Sequence, residues 1–299
     1  MGADVEILLL GDRATEAHCA SSLAELLADR WMRTFNRFQQ GSEISRLNAA
    51  GRGQVSRLLF TAIDRTVEAT RMSRGAFNPL ILPALIAAGY DRSIEFLSDS
   101  PTTEEAPEAI PGIEQIQLCP ERRYVELPEQ AQLDLNGIAK GLYADELAHR
   151  LPDWPGGIVS AGGDMRVWGE GPEEGRWAIG VEPPDQGEND LAVLVLSAGG
   201  IATSGVNRRS WRRGTEVIHH LIDPGTGAPT AVESETVTVL AATASLAETA
   251  ATALFIEPAL ATYPPFASRL WATIRAGADG GVTIERLNAK EPFDVYTSC

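Results

Sequence analysis

The stretch IHHLIDPGTG, Ile218 to Gly227, sets two of the chain's four histidines side by side at the end of a short apolar run. Asp223-Pro224-Gly225-Thr226-Gly227 follows at once and reads as a turn, because Pro fixes φ and Gly permits positive φ. Taken as a strand, Val217 to Ile222 sends successive side chains to opposite faces. His219 and Asp223 then share one face and His220 takes the other, so one histidine at most serves a given pocket. An imidazole near a carboxylate at a strand end builds an acid-base or ligand-binding site. The same pair is equally at home as a purely structural strand ending.

The segments after this stretch read as a strand, a helix and a hairpin. Thr236 to Leu240 is β-branched and strand-like, and Ser245 to Ile256 has helical character. On that helix Glu248 and Thr252 lie one turn apart on one face, where their oxygens suit a hard cation such as Mg²⁺. An ordinary glutamate near a helix start is the plainer account. Leu270 to Ile274 and Val282 to Leu287, around Asp279-Gly280-Gly281, form a closing hairpin. Asn288 to Cys299 reads as a loose tail.

Before it, Thr203, Ser204 and Gly205 precede an arginine cluster, Arg208, Arg209, Arg212 and Arg213. These arginines make either a solvated turn or a local anion site. Gly157 to Ser160 and Met165 to Gly169 pair through Ala161-Gly162-Gly163-Asp164. Trp177 to Val181 and Leu191 to Leu196 continue the sheet pattern.

Further back stands AQLDLNGIAKGLYADELAHRL. Leu133 to Leu135 is strand-like, Asn136-Gly137 is a turn, and Ile138 to Leu151 is helical. A turn that opens a helix presents free N–H groups and a positive dipole end suited to phosphate. Lys140 adds a full charge on the first helical turn, although the spacing is not that of a Walker-type loop. A hairpin, Gln115 to Leu118 with Tyr124 to Leu127, leads into it.

The N-terminal third alternates helices and turns. Val5 to Leu10 is a short buried strand. Glu16 to Phe35 is an amphipathic helix with Leu23, Leu26, Leu27, Trp31 and Phe35 at helical spacing, its aromatics assigned to the core. Phe35 to Gly51 is a polar loop in which Ser42, Glu43, Ser45, Arg46 and Asn48 lie close together. Ser56 to Met72 is a second helix with Leu59, Ala62, Ile63 and Val67 on one face. Gly75 to Asp91 is irregular with one short helix. Glu95 to Ile113 is an acidic, Pro-rich surface loop.

Composition bounds the function. The 299 residues are 44% hydrophobic and 22% charged, as in a soluble globular protein with a substantial core. A formal net charge of -16 argues against a nucleic-acid partner, since phosphate-backbone binding needs clustered Lys and Arg. Lys140 and Lys290 are the two lysines. Cys19, Cys119 and Cys299 are widely spaced and odd in number, which points to a reducing compartment and no disulfide framework. MGADVEILLLGD has no basic n-region, long apolar segment or cleavage site, so a cytoplasmic location is expected. No apolar run is long enough to span a bilayer.

Seven motifs occur in one order: SEISRLN, GAFNPL, LDLNGIAKGLYAD, SAGGD, IATSG, HHLIDPGTG and AETAATALF. Over nearly the whole chain they resemble the FAD:protein FMN transferases, the ApbE-like flavin transferase family. The resemblance implies an α+β fold: a single large domain, residues 1–287, of mixed, mainly antiparallel sheet with packed helices, ApbE-like and T-fold-like. It implies FAD as substrate, Mg²⁺ as cofactor, and an acceptor protein whose Ser or Thr hydroxyl receives FMN as AMP leaves. Some members instead hydrolyse FAD to FMN and AMP. By the same resemblance His220 and Asp223 belong to the reactive centre, and His220 handles the proton. Glu43, Ser45, Phe77, Asn136, Gly137, Lys140, Gly163, Asp164, Ser204, Gly205 and His220 would contact FAD. Glu248, Thr252 and Gly137 would hold the metal.

Three departures accompany it. Glu248 stands where the family has Asp, Asn136 where it has a second glycine, and Phe77-Asn78-Pro79 where it has Phe-Asp-Pro. An FAD-binding module without turnover, its metal site impaired by Glu248, is therefore an alternative.

Overall fold

The computed structural model describes residues 3–11, 14–97, 109–151, 153–185, 187, 189–206, 209–213, 216–231, 235–277, 281–288 and 293–297. Seven strands form the principal sheet: β1 (Val5–Leu9), β2 (Gly156–Ala161), β3 (Asp164–Gly169), β4 (Gly199–Gly205), β5 (Glu235–Ala241), β6 (Leu270–Gly277) and β7 (Val282–Arg286). They lie in the order β1 to β7 and every neighbouring pair is antiparallel. The α+β expectation holds, and in this sheet the pairing is antiparallel throughout.

Strand alternation gives the sheet two buried faces. Val159, Ala161, Ala202, Val237 and Val239 face a helical layer. Ile158, Val167, Ile201 and Ile274 face a small sheet made of Trp177–Val181, Ala192–Leu196 and Phe293–Thr297. Two sequence expectations change here. Residues 177–181 and 192–196 do not continue the principal sheet but form this second layer. Within the expected loose tail, Phe293–Thr297 pairs antiparallel with Ala192–Leu196 and buries Phe293 in the shared core. A strand with one apolar anchor among polar residues carries little periodicity to read.

The helical layer comprises α1 (Ala14–Phe35), α2 (Glu43–Ala50), α3 (Arg57–Met72), α4 (Leu82–Ala87), α5 (Ala139–His149) and α6 (Ala244–Ile256). Trp31 donates its indole N–H to the Ala139 carbonyl at 3.0 Å, and Tyr143 donates to Ala24 at 2.8 Å, so α1 is locked to α5. The α1 aromatics are core as expected, whereas Leu26 faces solvent. Helices α5 and α6 cross at Gly141, where an added Cβ would stand 2.6 Å from Ala244 backbone.

Two further expectations are revised. The polar loop contains α2, because Ser42 caps it by accepting from Ser45 N–H while Ile44 and Leu47 bury one face. Leu133 to Leu135 is irregular, held by Asn48 and not by a neighbouring strand. The acidic Glu95 to Ile113 loop, Arg208, Asp279-Gly280, Lys290 and Cys299 fall wholly or largely outside the described residues. Among the described residues no helix is long and apolar enough to cross a membrane.

Candidate functional site

A cleft opens where the starts of α5 and α6, the β2–β3 turn and the strand ends near 205 and 220 converge. Its empty volume is about 1560 Å³, including solvent at the mouth. Phe77, Asn136, Gly137, Lys140, Gly163, Asp164, Ser204, Gly205, His220, Glu248 and Thr252 all line it. Three predicted residues do not. Glu43 receives the Ser56 hydroxyl at 2.7 Å, joining α2 to α3. Ser45 donates to the Arg37 carbonyl at 3.2 Å. Asp223 closes its own turn, accepting from Gly225 N–H at 2.8 Å and from Thr226 at 3.3 Å. An Asp two residues before a turn glycine bonds back within its own turn, and this one is not among the residues that line the cleft.

At the back of the cleft a buried charge cluster joins three elements. Lys140 of α5 bonds both the Asp164 and Glu248 carboxylates. The hairpin turn at Gly162 and Gly163, with φ of 62° and 89°, delivers Asp164; two successive positive φ values favour glycine. Burial opposes the Lys140 charge, but Asp164 and Glu248 override it and hold the ammonium above its ordinary value. Burial pushes the Glu248 carboxyl up, against the attraction of Lys140, and Asp164 adds to the rise.

Several amides of the expected phosphate cradle are already engaged. The Ile138 and Ala139 N–H groups bond back to Leu135, and Gly141 N–H donates to Glu248 at 2.8 Å. What faces the cleft is Asn136, Gly137 and the Lys140 stem. The Asn136 amide is itself held by Asp134 at 2.7 Å. Gly137 is fixed by packing, since a Cβ there would meet the Phe77 ring at 2.9 Å. Asn78 replaces the family's Asp without loss of its local bond, accepting from Leu80 N–H at 2.9 Å.

The two histidines separate clearly. The expected single strand is broken into Glu216–His219 and Ile222–Asp223, paired with different partners. His219 is buried and committed: Nε2 donates to the Thr230 carbonyl at 2.9 Å and Nδ1 accepts from Leu221 N–H at 3.3 Å. His220 lines the cleft, with Nδ1 3.3 Å from the Arg209 carbonyl. A carbonyl only accepts, so Nδ1 carries the hydrogen and the Nε2 lone pair is left for a ligand. Burial, then the Arg209 charge, lower its pKa to about 3.

The residues present fit a hard divalent cation. Glu248, Asp164, Thr252 and Ser204 offer oxygen only, with the two hydroxyls 3.0 Å apart. One ammonium against two carboxylates leaves the cluster at -1. Among the described residues no group of three or more His, Cys, Asp or Glu forms a protein-only cage.

Arg209 and Tyr90 also line the cleft. Arg209 was one of four arginines with two open readings; its neighbourhood with His220 decides for the cleft. Tyr90 gave no sequence signal, because its place depends on stacking against Trp211, centroids 5.2 Å apart.

The ApbE family model matches residues 1–265. A Haemophilus influenzae protein named FAD:protein FMN transferase is 28% identical over 232 residues, covering 73% of this chain and 67% of that protein. A Treponema pallidum protein of the same name is 29% identical over 269 residues, 81% and 72% of the two chains. The crystal structure of the Thermotoga maritima ApbE protein superposes with a TM-score of 0.81 at 24% identity, over 95% of this chain and 94% of that one. The Vibrio cholerae flavin transferase ApbE gives 0.76 at 24% identity, over 96% and 94%.

Proposed function

This chain belongs to the ApbE family, and we propose that it transfers FMN from FAD to a Ser or Thr hydroxyl of an acceptor protein, with AMP as leaving product. The observation that carries this reading is the cleft that sets the Lys140–Asp164–Glu248 cluster and Arg209 around the free Nε2 of His220.

The acceptor oxygen attacks the phosphorus of the FMN half and forms a phosphoester bond. The bond from that phosphorus to the AMP oxygen breaks, and AMP leaves. His220 Nε2 takes the hydroxyl proton, its ring held by the Arg209 carbonyl. Lys140 and Arg209 offset phosphate charge, and Phe77 and Tyr90 provide apolar wall for the flavin. Glu248, Thr252, Asp164 and the Gly137 carbonyl would hold Mg²⁺, which when bound neutralises charge on the phosphates. We place the reaction in the cytoplasm because Cys19 and Cys119 are free thiols.

Incubation with FAD and Mg²⁺, followed by AMP measurement, tests the bond cleavage; mass analysis of an added acceptor domain tests transfer. AMP without acceptor mass gain replaces transfer by hydrolysis. FAD binding with no AMP leaves a binding module. FAD should also bind more tightly than FMN in calorimetric titration, and equal affinities would count against recognition of the AMP half.

A further inference from the structure

Arg37 does not line the cleft, yet it touches two residues that do, Tyr90 and Asp134. Its side chain is 3% exposed. Nη2 donates to the Tyr90 carbonyl at 2.8 Å, and Nε stands 3.0 Å from Asp134 Oδ2 without a well-directed hydrogen bond. The guanidinium carbon is 4.2 Å from the Phe38 ring centroid and 4.6 Å from that of Tyr90. Asp134 in turn accepts Asn136 N–H through its other oxygen, 2.7 Å away, and donates its own amide to the Pro79 carbonyl at 2.8 Å. The SEISRLN motif supports the same linkage: Ser45 holds the Arg37 carbonyl, and Asn48 clamps both amide groups of Leu133.

We propose that Arg37 is a positioning residue for the dinucleotide, acting through Asp134 on the Asn136–Gly137 turn and through Tyr90 on the lining beside it. The proposal rests on the FAD reading of the cleft. A buried ion pair is weak evidence for stability and better evidence for fixing one arrangement. Here it does two things. It orients the acceptor that holds the Asn136 amide, and it cancels a carboxylate that would otherwise repel the diphosphate from the cleft wall. Asp134 lines the cleft, so an unpaired charge there would act directly on the ligand.

The test uses Arg37→Gln, with Arg37→Lys as the milder variant should the first fold poorly. The KM for FAD in AMP release should rise about tenfold or more, the scale of a lost charge-assisted contact. Riboflavin affinity should change by less than about threefold, because no phosphate meets Asp134. Adding Asp134→Asn to Arg37→Gln removes the stranded charge and keeps an acceptor for Asn136, so it should recover most of the FAD affinity. In ligand-free protein, hydrogen exchange at the Asn136 amide should quicken while β5 amides keep their protection. A purely structural role would lower the folded fraction, reducing apparent kcat with KM unchanged and no recovery in the double variant; that result overturns the proposal. If the unmodified protein neither binds nor cleaves FAD, the functional reading fails, and unchanged Asn136 exchange then decides against Arg37 independently.

Discussion

The Glu248 carboxylate reaches from α6 to the backbone of α5 and accepts the Gly141 N–H at 2.8 Å. Its extra methylene, relative to the family's Asp, is therefore occupied in a helix-to-helix contact. Its other oxygen faces Lys140. Glu248→Asp should be unable to keep the Gly141 bond, leaving a buried donor unpaired at a cost of about 1–3 kcal/mol. The shortened carboxylate is then free for the cation, so half-saturating Mg²⁺ in AMP release should fall as the melting temperature drops. A variant that melts lower without any gain in Mg²⁺ response would separate Glu248 from the metal.

Glu248→Gln makes the complementary case. It keeps an acceptor for Gly141 and takes the cluster from -1 to neutral. Because burial raises the folded pKa of Glu248, its ionised form is disfavoured in the native state and stability is lost as pH rises through that value. The glutamine variant should thus match or exceed the parent in melting temperature at pH 8 without metal. It should also lose the rise in melting temperature that Mg²⁺ gives the parent. Retention of that rise would remove the carboxylate from cation binding.

Lys140 stands between two buried carboxylates, with its own side chain 15% exposed. Lys140→Met leaves Asp164 and Glu248 facing one another without a counter-charge, a defect of about 3–5 kcal/mol. Burial raises the Glu248 carboxyl, which ionises as pH rises through that raised value, so the deficit should be larger at pH 8 than at pH 5. Parallel melting curves at the two values check this. An equal deficit at both would mean that lost packing, not charge, dominates.

Gly137 and Phe77 offer a steric test. The added methyl of Gly137→Ala would meet the Phe77 ring at 2.9 Å, and that ring is 5% exposed and packed in the core. Overpacking of this kind costs about 1–3 kcal/mol. FAD affinity should fall in the variant, and Phe77→Leu in the same background should restore part of it. No recovery would place the effect in the backbone of the turn.

Much of this arrangement was legible in the sequence because it is local. Helix α3 announces itself by apolar spacing, and SAGGD reads as a tight turn. Most of the expected cleft residues fall together for that reason. The differences lie where the deciding partner is distant. Glu43 and Ser45 lie away from the cleft lining, beside Ser56 and the Arg37 carbonyl. Asp223 differs for a local reason: its carboxylate bonds within its own turn, a pattern the DPG sequence already contained. Whether the helix start at 138–141 had free amides depended on Glu248, more than a hundred residues away.

His220 and His219 are adjacent, and the structure gives them opposite fates. The proposed base, His220, has its pKa lowered to about 3, by burial first and the Arg209 charge second. Its imidazole is therefore neutral throughout the range in which the enzyme would be assayed, and Nε2 is available without prior deprotonation. The profile of kcat against pH should accordingly lack a limb near the ordinary histidine value of about 6.5. His220→Gln should lower AMP release, by less than the roughly 10²–10⁴-fold contributed by a base whose pKa lies near the assay pH, because a base of pKa about 3 is weak. Stability carries the matching sign. The unfolded chain binds a proton here below about pH 6.5 and the folded one does not until about pH 3, so His220 disfavours the native state increasingly as pH falls through that window. The glutamine variant should lose less melting temperature than the parent between pH 7 and pH 5. A kcat limb near pH 6.5 that disappears in His220→Gln would show that the imidazole titrates normally, and the buried-base account would have to be withdrawn.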